Sequence, residues 1–241
     1  MIDIKLDDLT FEKASEYFKG KIPVNSRTFY RIKQEYKTKA FTISGYNSTE
    51  ILKKFMDTIQ SAIDNGTTMD DFKKEVDSFL EKKGYEGLTP FQADNIFRTN
   101  IQTAYSVGHY QAMTDETVKE LRPYWQYDAV LDSRTRETHR ALNGKVFPAD
   151  HPFWDTWYPP NGFRCRCGVI TLSEEQVKAR GLKIETKVPR YVDETGFSMR
   201  PLVPDRGFNY NPAKQAFNPD IDSYPEPLKK AYKKYKELPN G

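Results

Sequence analysis

The chain has 241 residues, enough for one large domain or two small ones. Its 37 basic and 34 acidic residues leave a formal net charge of +3, which excludes a disordered polyelectrolyte and argues against a strongly basic nucleic-acid binder. Aromatics at 14% supply enough buried area to offset a modest 37% hydrophobic fraction, and two cysteines cannot build a disulfide framework.

The cysteines form a C-x-C pair, and a bridge between residues two apart is strained, so reduced thiols are expected. The opening MIDIKLDDLTFEK has neither a basic nor an apolar leader region. No apolar run approaches the roughly 20 residues that a membrane-spanning helix needs. A soluble intracellular protein with no membrane partner is expected.

From Leu6 to about Leu121 the pattern is helical. After Ser26, a candidate N-cap, Phe29, Ile32, Tyr36 and Ala40 recur at three- and four-residue steps. A second helix is expected over 48–64, capped by Asn47 with Glu50, with Ile51, Phe55, Ile59 and Ile63 in one stripe. A third, over 69–83, turns Phe72 and Val76 inward and stops at Gly84. Thr89, Pro90 and Gln92 make a capping box for a long helix that carries Arg98 beside its apolar face. Arg98 is either a solvated margin or a group reaching the domain that follows.

The stretch 123–172 organises the chain. It holds all three tryptophans, both cysteines and two of the three histidines. Trp125, Tyr127 and Ala129 alternate with polar residues, as in a strand. Asp132 is expected to N-cap a short helix ended by Asn143-Gly144. Prolines 148, 152, 159 and 160 make the next segment a loop, and 165–172 reads as a second strand. Beyond it, Ser173 opens a short helix closed by Gly181, and 182–204 suggests a hairpin. Residues 204–220 read as an extended arm held by Phe208, Tyr210 and Phe217, and truncation after Leu202 is expected to leave a folded protein. The final basic helix carries Lys229, Lys230, Lys233 and Lys234, a solvated face or a contact for DNA or an acidic partner.

Four candidate metal ligands lie close in sequence: His139, His151, Cys165 and Cys167. Residues two apart on a strand share a face, so both thiols can converge, and two thiolates with two imidazoles suit a structural tetrahedral zinc. Asp150 could replace His151. The bland alternative is a pair of buried thiols and two hydrogen-bonded histidines, since C-x-C is not the usual knuckle spacing. A catalytic alternative is a metal-dependent nuclease or phage-borne effector using His139 with Asp132 and Arg134. No Gly-rich phosphate loop, nucleophile elbow or H-E-x-x-H supports it, so a non-enzyme is favoured.

Asp132-Ser-Arg134-Thr, His139, Leu142, Gly144-Lys-Val-Phe, Pro159-Pro160 and Cys165-Arg-Cys167, in this order, resemble the Mu F-like phage head morphogenesis family of minor head proteins. The resemblance is densest over 123–172 and looser over 98–110 and through Asn211-Pro-Ala-Lys-Gln-Ala-Phe. It implies a minor capsid component of a phage or prophage that acts in head assembly by binding the portal or inner capsid. It also implies occasional DNA contact, and a location in the host cytoplasm and then inside the head. Similar proteins carry Cys-x-x-Cys where this chain has Arg136-Glu-Thr-His139, and histidine where it has Gly162, so only His139, Cys165 and Cys167 keep the family's ligand positions. The expected fold is α+β: a helical N-terminal region over 1–121, a small mixed domain over 122–180, and an extended C-terminal arm over 181–241 that suggests oligomer or partner contacts.

Overall fold

A computed structural model describes residues 6–188, 190–192, 199–214 and 221–239. The chain is α+β and divides into two units, Met1–His109 with Pro212–Gly241, and Tyr110–Asn211. The sequence placed its boundaries at 121/122 and 180/181. The observed division falls instead inside the long helix and ahead of the terminal segment. Phe217, expected to hold the arm, lies outside the described residues.

The first unit contains α1 (Leu6–Lys19), β1 (Ile22–Pro23), α2 (Ser26–Arg31), α3 (Gln34–Lys37) and β2 (Ala40–Phe41), with β1 and β2 paired in parallel. The single helix expected after Ser26 is therefore broken in two. Asn25, not Ser26, is the cap, accepting the Thr28 N–H at 2.8 Å, and Ile32 adopts an extended backbone that sends its side chain into the core. Then follow α4 (Thr49–Asn65), α5 (Met69–Lys82) and α6 (Pro90–Met113). The α4 stripe of Ile51, Phe55, Ile59 and Ile63 is buried, as its spacing demands. Phe55 meets Phe72 of α5 at 6.3 Å between ring centroids, and each such buried side chain contributes about 1.5–3 kcal/mol. Local signals start these helices: Thr68 with Asp71 and Thr89 with Gln92 form reciprocal capping boxes.

The second unit adds α7 (Glu116–Leu121), β3 (Tyr124–Asp128), α8 (Glu137–Leu142), β4 (Val146–Pro148), α9 (Phe153–Trp157), β5 (Gly168–Leu172), α10 (Glu174–Ala179), and the β6 (Arg190–Val192) and β7 (Met199–Pro201) hairpin. Its main sheet is antiparallel in the order β4-β3-β5. Asn143-Gly144 ends α8 as expected. Gly144 takes φ +77, a conformation that favours glycine, and donates to Tyr127 O at 2.8 Å, which turns the chain directly into β4. Trp125, Tyr127, Phe147, Phe153, Trp154, Trp157 and Tyr158 are all buried in one cluster with both cysteines.

The last helix, α11 (Glu226–Lys236), belongs to the first unit's core. Leu228 is fully buried and, with Tyr224, joins Ile22, Val24, Ile32 and Ala40 in one cluster. The segment past Leu202 thus supplies part of this core, and its removal would uncover the cluster around Ile22 and Ile32. Leu228→Ala is expected to destabilise the protein by about 2–5 kcal/mol in urea denaturation. A cost below about 0.5 kcal/mol would show that α11 is peripheral.

Lys21 is a buried cation in this unit, 7% exposed, donating to Thr38 O at 3.0 Å and standing 4.5 Å from the Tyr17 ring centroid. Burial pushes its pKa down to about 7, whereas an unfolded lysine titrates near about 10.4. Between those values the unfolded chain binds the extra proton, so stability contributed through this group rises with pH. Lys21→Met is therefore expected to be more stable than the parent by a margin largest near about pH 6.5 and smaller by about pH 9. A margin that grows with pH would contradict this.

Candidate metal centre

The segment between β3 and β4 and the segment leading into β5 meet on two sides. Cys165, Arg166 and Cys167 precede β5, so the thiols lie just ahead of the strand expected over 165–172. A turn presents them: Cys165 N–H donates to Gly162 O at 3.2 Å, with Arg164 at φ +56. Alternation still places both thiols on one side and Arg166 on the other.

On the thiol side, His139 of α8 is 2% exposed, with Cys165 at 4% and Cys167 at 3%. Its Nδ1 lies 3.3 Å from Cys167 Sγ and 3.8 Å from Cys165 Sγ. One ligand atom from each of the three residues lies within 4.8 Å of the others, the one such group among the described residues. His139 Nε2 is buried without a hydrogen-bond partner, and the ring meets Trp157 edge-on at 6.0 Å. The Cys167 thiol, then His139 and the Asn161 N–H, favour a charge on Cys165 and push its pKa down. Cys167 is pushed up, because ionising it would break its bond to Cys165 and because it is buried. Two thiols and an imidazole converging on one point are a donor set that suits a soft divalent metal.

On the other side, Arg166 grips Asp132 through two bonds of 2.6 and 2.7 Å. The Asp132 carboxylate also accepts the Arg134 N–H at 3.0 Å, and the Arg140 guanidinium donates to Asp132 O at 2.7 Å. The Arg166 fork holds the Asp132 carboxyl far below the usual carboxylate range. Asp132 is therefore not the cap of α8, a place taken by Arg136 without a side-chain bond. Its local sequence fits a cap, but Arg166 captures the carboxylate and folds 132–135 into a turn. Asp132 is also absent from the ligand group, so the structure does not join it to His139 as the nuclease alternative requires.

His151 stands apart from the three ligands. Its Nδ1 accepts the Phe153 N–H at 3.0 Å and its Nε2 faces Thr186 O at 3.3 Å, so one ring nitrogen serves the start of α9 and the other the segment after α10. Asp150 is exposed and likewise outside the group. Pro159 and Pro160 are buried, joined by a cis peptide, and lead into Asn161. Arg98 pairs with Asp94 one turn back on its own helix.

Sequence reasoning missed three groups. Asn161, fully buried, accepts from Tyr127 Oη at 3.0 Å and donates to Thr156 O and Tyr158 O at 3.3 Å each. Arg166 was passed over between two cysteines, although alternation alone sets it opposite them. Asp205 pairs with Arg136 at 2.9 Å beside Gly162. A Cβ at 162 would lie 2.3 Å from Asp205 Oδ2 and 3.1 Å from Arg136 Cζ. An ion pair thus fills the space beside position 162, and only glycine fits there.

Asn161→Ala would leave the buried Tyr127 hydroxyl and two carbonyls without their partner. A loss of about 1–3 kcal/mol is expected in chemical denaturation. A neutral outcome would mean that those groups reach water.

Residues 53–170 match the family described as Phage Mu protein F like protein. The chain is 36% identical over 215 residues to the Mu-like prophage FluMu F protein of Haemophilus influenzae, covering 76% of this chain and 51% of that protein. It is 31% identical over 245 residues to the "Putative capsid assembly protein F" of Escherichia phage Mu, covering 87% of this chain and 55% of that protein. The chain spans about half the length of these curated relatives. No solved structure matches it. No helix among the described residues is long and apolar enough to cross a membrane. The matched span contains the Asp132 turn, His139 and both cysteines, and the chain belongs to the phage Mu protein F like family.

Proposed function

We propose that this protein is a minor head component that acts in phage capsid assembly by binding other capsid proteins, the portal protein first among them. It would work in the host cytoplasm and then inside the head. Similarity over 87% of the chain to a protein named for capsid assembly carries this reading. The geometry supports a structural role over a catalytic one. The motif residues Asp132, Arg166, Asn161 and Tyr127 are committed to bonds within the fold, and the thiol–imidazole group is buried under tryptophan. The lysines of α11, Lys229, Lys230, Lys233 and Lys234, supply a DNA contact during packaging.

Co-expression with the portal protein of the same phage, followed by gradient sedimentation, tests the partner. Cosedimentation is expected. Separate migration of two folded proteins would contradict portal binding.

We further infer that His139, Cys165 and Cys167 hold a structural zinc ion. The donor set fits: two sulfurs face one imidazole nitrogen, and metal-binding energy is folding energy in a site of this kind. The metal would supply no chemistry beyond locking α8 to the run-in of β5. Purified protein is expected to contain about one zinc per chain by elemental analysis, and His139→Ala and Cys165→Ser are each expected to lower the melting temperature by at least about 5 °C. Metal-free protein whose variants melt with the parent would overturn the assignment.

A further inference from the structure

Charge is nearly balanced along the whole chain but not across the first unit. Residues 26–37 carry four cations and one anion, and residues 226–237 carry five and two. These two stretches hold a net +6 in a chain whose total is +3, so the remainder is net negative. They are far apart in sequence, yet the fold joins them. Tyr36 of α3 donates to Ser223 O at 3.1 Å just ahead of α11, its ring meets Tyr224 at 6.0 Å, and both segments pack on the cluster around Ile22 and Leu228.

Arg27, Arg31, Lys33, Lys230, Lys233 and Lys234 are exposed, and none forms an ion pair among the described residues. Four lysines elsewhere in this unit are matched: Lys53 with Asp57, Lys54 with Glu75, Lys73 with Asp77 and Lys83 with Glu50. Where α3 and α11 meet, the fold thus gathers six exposed cations from two distant segments. We propose that α2, α3 and α11 together form a binding surface for the phosphate backbone of duplex DNA, an inference that rests on the DNA contact proposed above and doubles its footprint.

The partner follows from what the face lacks. A stable protein interface has an apolar centre, and Tyr30, 77% exposed between Arg27 and Arg31, is the one large apolar side chain these stretches expose. Long flexible cations around a single aromatic suit a hydrophilic, evenly charged polymer, and a duplex presents one negative charge per about 1.7 Å of its axis. Such contacts position the protein without reading sequence.

Anisotropy of a labelled duplex of arbitrary sequence, titrated across a range of salt, tests this on the full chain. Two variants are compared: Arg27→Gln/Arg31→Gln/Lys33→Gln and Lys230→Gln/Lys233→Gln/Lys234→Gln. Each is expected to weaken binding by at least about tenfold and to flatten the slope of log affinity against log salt by about 2–3. Arg27→Lys/Arg31→Lys, which keeps the charge, is expected to bind like the parent. If the α2–α3 variant binds like the parent while the α11 variant does not, the composite surface fails and the terminal-helix contact survives. No binding by the parent, or displacement of the duplex by equimolar polyglutamate, overturns both. Should the triple variant melt below the parent, Arg31→Gln alone is read instead, with a slope change of about 0.9 expected and none overturning the proposal.

Discussion

His139 reaching both thiols is the contact on which the second unit depends. The Nδ1 atom lies within 3.8 Å of two sulfurs that arrive from a segment 26 and 28 residues further along the chain. Arg166, between them, points the opposite way and clasps Asp132 on the far side. One short alternating segment therefore grips both ends of the 132–142 stretch. The turn and helix of that stretch have little apolar surface of their own, with only His139 and Leu142 buried on α8. They are held in place by this two-sided grip.

The aromatic cluster makes the grip effective. Trp125, Trp154, Trp157 and Tyr158 exclude water from the thiol–imidazole group, and low polarity strengthens each bond within it while raising the cost of any group left unmatched. His139 Nε2 is such a group, which fits a ring whose other nitrogen has a strong electrostatic partner. The Arg136–Asp205 pair reinforces the same corner from the loop after β7. This chain thus joins an ion pair to a three-residue donor set at one corner of its fold.

Features carried by neighbours in sequence were legible. Thr68, Thr89 and Ser173 start helices because their capping partners sit three residues on, and the C-x-C pair shares a face because extended backbone has period two. Features decided by distant partners were not. Asp132 has the local sequence of a cap, but its carboxylate is claimed by an arginine 34 residues away. His151 looks like a ligand by type, but its ring closes its own loop through Phe153 N–H. The burial of Leu228 required knowing that α11 returns to β1, which no spacing encodes. The basic face of the first unit was half legible: its terminal lysines stand in a run, while Arg27, Arg31 and Lys33 join them only through the fold.

The role proposed above needs a fixed shape more than a reactive centre, and the proposed zinc would lock one at the most aromatic part of the chain. X-ray absorption at the zinc edge on protein purified without added metal tests this most directly. The account predicts a metal with two sulfurs at about 2.3 Å and one imidazole nitrogen at about 2.0 Å. A shell of oxygens and nitrogens alone would contradict it.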